Sequence, residues 1–240
     1  MSRVDLLHFL IRRLELIKRL YESAIAPFEE TKRKIEAGEE PYVFTGDPEH
    51  WDGEPPFLEE WQDADECVMV VGHWCLCMVQ SSLNTYLRDL ISPLGCLHWD
   101  PDHLAKHRGV KKGKSWFERY RLLFLEDLGI DWTNGPVALA DLEQLNLTRD
   151  DLIHNVDMMS FSIKRDEKHA ERFPSGLFTD ELWRGLDIER LRIDKKQLAH
   201  ACDLVRDFCA WLDDIRCRYP QYCKVIKAGQ SWPPPAPIPN

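Results

Sequence analysis

The sequence predicts an all-α protein, a four- to five-helix bundle with a small β-ribbon before the last helix. Apolar residues recur at three- and four-residue steps over several long segments, as amphipathic helices require. Gly-, Pro- and Asn-containing turns separate these segments. The alternation typical of strands is confined to residues 160–164 and 190–193. We therefore expect helices to supply the core.

Composition and charge restrict the class of protein. Hydrophobic residues make up 44% of the 240 residues and charged residues 30%, which is ordinary for a globular domain and excludes wholesale disorder. There are 31 Lys plus Arg and 41 Asp plus Glu, giving a net charge of −10. That balance argues against a protein that coats nucleic acid over its whole surface. No apolar run reaches about 18 residues, so we expect no membrane-spanning helix.

The N-terminal residues and the cysteines favour a cytoplasmic location. Asp5 and His8 interrupt the first apolar residues and no small-residue cleavage site follows, so this segment is a poor signal peptide. The chain has 8 cysteines, which is sparse for a disulfide scaffold. Because Cys75, Cys77 and others lie inside helical patterns, we expect reduced thiols.

Residues 1–37 form the first segment, a long amphipathic helix over residues 2–37 that Gly38 ends. We expect this helix to bury one face in the bundle, whereas a coiled-coil arm is disfavoured because the pattern fades near its end. An acidic, Pro/Gly-rich connecting loop follows at 38–56. The predicted apolar stripe consists of Val4, Leu7, Ile11, Leu14, Tyr21, Ile25 and Phe28.

The helical bundle is predicted over residues 57–218. Its strongest helix covers 57–92 and is apolar on more than one face, which indicates a position deep in the core. Three further helices are predicted at about 115–128, 137–157 and 195–218.

Local signals refine two of these helices and describe the tail. Thr148 followed by Asp151 is a candidate internal N-cap, which would divide the helix at 137–157 into two. Asp194 and Gln197 form a capping box for the last helix. Residues 219–240 are Pro-rich, and we expect this tail to be disordered.

Residues 148–155, which read Thr-Arg-Asp-Asp-Leu-Ile-His-Asn, carry the main functional signal. Arg149 and His154 are separated by four residues, and the polar Asp150 directly follows the arginine. This pattern, within a helix that precedes an irregular segment and a final bundle helix, resembles the HEPN domain superfamily (higher eukaryotes and prokaryotes nucleotide-binding). The resemblance covers about residues 57–218 and implies a bundle of HEPN type.

The resemblance implies a metal-independent endoribonuclease that acts as a toxin or defence effector and needs no cofactor. Arg149 and His154 would be catalytic, Asp150 would support them, and Asn155 is a further candidate for hydrogen bonding at the cleft. A homodimer would bring both protomers' Arg and His into one cleft, with RNA as substrate and a cognate antitoxin or other protein as partner. Val156 stands where some toxins of the family carry a modified Tyr, so that form of regulation is not expected.

Three other stretches contain candidate site residues. The Arg3–His8 pair repeats the spacing but begins at the terminus, with Val4 after the arginine and no preceding helix. His98, Asp100, Asp102, His103 and His107 cluster, but they lack the zinc-protease pattern, and a helix cap explains them more simply. We therefore expect no metal site. The third stretch is basic and is a candidate for contacts with RNA phosphates, although a solvated loop is the alternative interpretation. Its basic residues are Lys106, Arg108, Lys111, Lys112 and Lys114.

Two rival functions remain open from the sequence. The first is a catalytically silent HEPN-like helical module that binds nucleic acid, nucleotide or a partner protein, which the net charge of −10 favours. The second is an interaction domain that uses the first helix and the minimal PxxP motif at 234–237. A ribonuclease needs Arg149 and His154 exposed at a shared groove, whereas a binding module would bury them or pair them with Asp150 and Asp151.

Overall fold

The computed structural model describes residues 5–45, 55–91, 116–155, 167–174, 176–178 and 191–218. Within these ranges the fold is all-α, as predicted. The helices are α1 (Leu6–Ala37), α2 (Leu58–Leu90), α3 (Trp116–Leu128), α4 (Leu139–His154), α5 (Glu167–Arg172) and α6 (Lys195–Arg218), with a 3₁₀ turn at Trp132–Asn134. The predicted β-ribbon lies largely outside the described residues and stays a prediction.

Most helix boundaries agree with the sequence patterns, and one alternative does not. The capping box of α6 is present, since the Gln197 amide donates to Asp194 Oδ1 at 2.7 Å and the Asp194 amide donates to Gln197 Oε1 at 3.0 Å. Gly38 adopts a positive φ of 62° after α1, as a helix-ending glycine does. The suggested break at Thr148 is wrong: α4 is continuous and Thr148 is buried within it.

The buried face of α1 differs from the predicted stripe. Leu14 and Tyr21 are buried as expected, but Ile11 is exposed and Val4 lies outside the described residues. The buried apolar positions are Leu6, Leu10, Leu14, Ile17 and Tyr21. This set is rotated by about 50° around the helix axis from the predicted one. The rotation went unpredicted because α1 has apolar residues on a second side, where Phe9, Leu16 and Leu20 stay exposed.

The chain divides into two compact units. Unit 1 takes Met1–Glu15, Val79–Leu147 and His200–Asn240, and unit 2 takes Leu16–Met78 and Thr148–Ala199. All described residues of the proposed catalytic motif belong to unit 2.

Unit 1 has an aromatic core around Trp132. The Trp132 ring is fully buried and contacts Phe117, Phe124 and Phe208, with ring centroids 5.3, 5.4 and 4.9 Å away. Tilted and edge-on rings of this kind add to the free energy gained by burial. One buried polar pair in this unit is matched, since Gln80 Nε2 donates to Asn146 Oδ1 at 3.1 Å. The buried Trp132 Nε1, by contrast, has no hydrogen-bond partner among the described residues.

Unit 2 holds residues 191–193 against α1 and α2 through side chains that bond to their backbone. Tyr21 Oη donates to the Ile193 carbonyl at 3.0 Å, and His73 Nε2 bonds to the Leu191 carbonyl. Gly72 lies directly beneath this segment, because a Cβ placed there would be 2.6 Å from the Ile193 carbonyl oxygen. The absent side chain of Gly72 therefore permits the close approach.

An ionic cluster links the same elements of unit 2. Asp65 on α2 accepts from Lys32 Nζ at 2.7 Å and from Arg192 Nη2 at 2.6 Å. Burial raises the pKa of Asp65, but the hydrogen bonds from Lys32 and Arg192 outweigh burial and hold that pKa below its usual value. Lys32 also lies 4.8 Å from the centre of the Trp61 ring. These contacts hold α1, α2 and residues 191–193 together within unit 2.

Helix α2 is long and strongly apolar. Its length and composition alone would allow it to cross a membrane. Among the described helices, α2 is the one that meets this criterion. The core helix of a soluble bundle passes the same test, and 56% of its most apolar window is buried.

Candidate functional site

The arginine of the motif lies in the second half of α4 and is paired with its neighbour. Arg149 Nη1 donates to Asp150 Oδ1 at 2.8 Å, and the two side chains are 32% and 40% exposed. Arg149 Nε is buried and has no hydrogen-bond partner within the described part of the chain. One edge of the guanidinium is thus enclosed, while about a third of the side chain reaches the surface.

The histidine of the motif ends α4. His154 is the last helical residue and is exposed. Among the residues that the structure describes, no hydrogen bond holds its imidazole. Because it is exposed, this imidazole is accessible to a ligand, as a catalytic acid or base must be.

Asp150 connects the arginine to the side of α4 on which His154 lies. On an ideal helix Arg149 and His154 point about 140° apart, whereas Asp150 and His154 are separated by only about 40°. Residues four positions apart are neighbours on a helix surface. Because the Arg149 guanidinium reaches across to Asp150, its charged end is drawn towards the side of His154.

A second acid on α4, Asp151, faces inwards and meets a histidine that the sequence reasoning missed. His169 Nδ1 lies 2.6 Å from Asp151 Oδ2, and the two side chains are only 3% and 5% exposed. Asn155 Nδ2 donates to the other carboxylate oxygen, Asp151 Oδ1, at 2.9 Å. The His169 ring also meets Phe173 edge-on, with centroids 5.9 Å apart. The half-buried Asn155 therefore bonds to Asp151.

The sequence gives a weak signal for Asp151 but none for its partner His169. Asp151 directly precedes the apolar Leu152 and follows the buried Thr148 by three residues, so a carboxylate stands beside the inner face of α4. A buried carboxylate needs a partner. The sequence offers 9 histidines, and no spacing rule singles out His169.

Cys77 on α2 lies within electrostatic range of the motif. Burial raises the pKa of the Cys77 thiol, the positive charge of Arg149 lowers it, and Asp150 raises it again. The net shift is upward, so this cysteine stays a thiol at neutral pH. It contributes a half-buried, weakly polar wall near Arg149 rather than a nucleophile.

Most of the remaining candidate residues lie in segments that the structure does not describe. The basic stretch with Lys106, Arg108, Lys111, Lys112 and Lys114, and the His98–His107 cluster, lie outside the described residues. In the part of the chain that is described, no group of three or more His, Cys, Asp or Glu side chains is arranged to hold a metal ion. The rejected copy of the motif has its His8 exposed in the first turn of α1, where the His8 amide donates to Asp5 Oδ1 at 2.9 Å.

Comparisons of the chain with models of protein families, with curated proteins and with solved structures find no match. Any functional assignment therefore rests on the residues and geometry of this chain. Those residues are an exposed histidine, a tethered arginine five residues before it, and a buried acid–histidine pair beneath them.

Proposed function

We propose that this chain is a HEPN-type, metal-independent endoribonuclease that works as a homodimer, with Arg149 and His154 as its catalytic residues. The observation that carries the proposal is the exposure of His154 at the end of α4, together with the 2.8 Å hydrogen bond between Arg149 and Asp150, which precedes His154 by one helical turn. The pattern of Arg149, Asp150 and His154 resembles the motif of that superfamily.

The reaction that suits these groups is an internal attack on RNA. The ribose 2′-oxygen forms a bond to the adjacent phosphorus, the bond from phosphorus to the 5′-oxygen breaks, and the products carry a 2′,3′-cyclic phosphate and a 5′-hydroxyl. A proton must leave the 2′-hydroxyl and another must reach the departing 5′-oxygen. Histidine performs such transfers at neutral pH, which is worth about 10²–10⁴ in rate.

Arg149 has the complementary role. A guanidinium binds phosphate oxygens through two parallel N–H bonds and balances the charge that develops on them in the transition state. In the structure one of its donors is bonded to Asp150, at 2.8 Å. Asp150 keeps the guanidinium in place until a phosphate competes for it, and it neutralises part of the arginine charge.

The homodimer supplies what one protomer lacks. A single α4 offers one exposed imidazole, whereas the reaction uses both a base and an acid. With two protomers related by a two-fold axis, His154 of each could take one of these roles. We place the protein in the cytoplasm as a toxin or defence effector, and we assign RNA phosphate contacts to the basic stretch at 106–114, which offsets locally the net charge of −10.

The test is cleavage of labelled RNA in EDTA by the wild type and three single variants. His154→Ala removes the proposed acid–base group, whereas His8→Ala and His200→Ala each remove a histidine that is also exposed on a helix. We expect His154→Ala to lose about 10²–10⁴ in rate and both controls to cleave like the wild type. Equal cleavage by all four proteins would show a contaminating nuclease or a different site.

A specific observation favours the silent binding module as the second candidate. Arg149 is ion-paired with Asp150, and its Nε is buried without a partner in the described residues, as a structural arginine would be. This rival predicts that RNA or nucleotide binds without being cleaved. Fluorescence anisotropy with labelled RNA, measured beside the cleavage assay, separates the two: a binding curve that His154→Ala leaves unchanged, with no cleavage by any variant, supports the module.

A further inference from the structure

We infer that the buried Asp151–His169 pair positions the last turn of α4, and so fixes the direction in which His154 projects. The inference rests on the proposed function for its catalytic consequence, but its structural part can be tested separately. His169 and Asp151 are positioning residues, because both side chains are at least nine-tenths buried and do not reach a substrate.

The carboxylate of Asp151 is held from two sides. Its Oδ2 lies 2.6 Å from His169 Nδ1 on α5, and its Oδ1 accepts from Asn155 Nδ2 at 2.9 Å. The backbone adds a further bond, from the Asn155 amide to the Asp151 carbonyl at 2.8 Å. Asp151 therefore connects the residue that directly follows His154 to a separate helix.

This arrangement bears directly on the catalytic histidine. His154 lies three residues after Asp151 and one residue before Asn155, inside the turn that these two residues close. The ends of helices fray, and the last carbonyls lack partners within the helix. Without an anchor, the final turn would sample several conformations and the imidazole would sample several directions. The Asp151–Asn155 and Asp151–His169 contacts restrict both.

Helix α5 depends on the same pair. It has six residues, Glu167–Arg172, and a helix of that length is not stable on its own in water. His169 is its buried polar side chain, and Phe173 packs against the His169 ring. The hydrogen bond between Asp151 and His169 therefore links α5 to α4. Its direction is set by the orientations of the imidazole ring and the carboxylate.

Stability alone does not account for this choice of residues. Burying an acid and a histidine requires desolvating both, and well-packed apolar residues of similar volume stabilise a fold equally well or better. A hydrogen-bonded pair differs from an apolar contact in that it imposes a direction. Directional fixing is what a catalytic group needs, since a displacement of about 1 Å can lower a rate on the order of 10²-fold.

The experiment compares Asp151→Asn and His169→Gln with the wild type. Asp151→Asn keeps the shape of the side chain and removes its charge, and His169→Gln keeps a hydrogen-bond donor and removes the ring. Asp65→Asn is the matched control, because it removes an acid that is bonded to two cations in the same unit but not to α4. Urea unfolding gives the loss of stability in each variant.

The first readout is independent of activity. Proteins labelled with ¹³C and ¹⁵N in histidine give ring signals for His154, identified by their loss in His154→Ala. We expect one sharp signal set in the wild type and in Asp65→Asn, and broadened or doubled signals in Asp151→Asn and His169→Gln. Unchanged His154 signals in folded variants would overturn the inference. So would unfolding of both variants where Asp65→Asn stays folded, because the pair would then serve stability alone.

The second readout is cleavage of RNA. We expect kcat to fall on the order of 10²-fold in Asp151→Asn and His169→Gln, with KM nearly unchanged, and to stay at the wild-type value in Asp65→Asn. A rise in KM with kcat unchanged would overturn the positioning role. If the wild type does not cleave RNA at all, the proposed function fails, while the histidine signals still decide whether the pair orders His154.

Discussion

Gly72→Ala should have two opposing effects on the stability of the fold. The structure gives the distances to Ile193 that decide between them. Gly72 lies in α2, and alanine is a better helix former than glycine by about 1 kcal/mol. Its Cβ, however, would lie 2.6 Å from the Ile193 carbonyl oxygen and 3.0 Å from the Ile193 Cβ. Real Cβ atoms essentially never approach other atoms within 3.0 Å, so the segment at 191–193 must move.

The magnitude follows from what holds that segment. The Ile193 carbonyl accepts from Tyr21 Oη at 3.0 Å, and the neighbouring Leu191 carbonyl is bonded to His73. Overpacking of a core costs about 1–3 kcal/mol. A weakened hydrogen bond to Tyr21 adds about 1 kcal/mol. After subtraction of the helix-propensity gain, we expect Gly72→Ala to lower the free energy of unfolding by about 1–3 kcal/mol.

Urea unfolding followed by circular dichroism measures this, and a double-mutant cycle tests the cause. Tyr21→Phe alone removes the hydroxyl and should lower stability by about 1 kcal/mol. In the Gly72→Ala background the same change should have almost no effect, because the carbonyl has already moved away. A Gly72→Ala protein that is more stable than the wild type, or strictly additive effects in the double variant, would refute this reasoning.

Two further predictions concern pH. Burial lowers the pKa of His73 below 6.5, so just below that pH the unfolded chain binds more protons than the folded one. The stability of the fold is therefore fully present above pH 6.5 and falls as the pH drops. His73→Gln should flatten this dependence of stability on pH, measured by urea unfolding. A slope equal to the wild type's would contradict the assignment. Burial, with smaller effects from Asp194 and Glu29, raises the pKa of Tyr21 from 10.0 to about 12, so the stabilisation is complete below pH 10 and is lost as the pH rises towards 12. Tyr21→Phe should lose less stability than the wild type over that pH range. An equal loss of stability in the two proteins would contradict the raised pKa of Tyr21.

The sequence predicts the helices well because their signals are local. The 3.6-residue period, Gly38 and the Asp194–Gln197 capping box are each read within a few residues, and the structure contains the last two where they were expected. Even α6, predicted at 195–218, has those bounds.

The buried faces and the pairings are harder to predict because they depend on distant parts of the chain. Helix α1 has apolar side chains on two sides, so only its partners decide that Leu10 is buried and Phe9 is 58% exposed. Gly72 resembles any glycine inside a helix until Ile193 is known to lie on it.

The candidate site shows the same difference between local signals and pairings of distant residues. Arg149, Asp150 and His154 come from a short motif, and adjacency alone predicts the contact between Arg149 and Asp150. His169 is 18 residues from Asp151 in the sequence, and nothing local marks the two as a pair. The inward turn of Asn155 towards Asp151 follows from that pair.

The chemical identity of the cleavage products tests the proposed activity most directly. A short synthetic RNA is incubated with the purified wild type in EDTA, and the masses of the fragments are determined. The proposed mechanism predicts fragments that end in a 2′,3′-cyclic phosphate and begin with a 5′-hydroxyl, and none from an RNA whose 2′-hydroxyls are methylated. Fragments with 3′-hydroxyl and 5′-phosphate ends, or no fragments from a broad panel of RNAs, would contradict a ribonuclease built on Arg149 and His154.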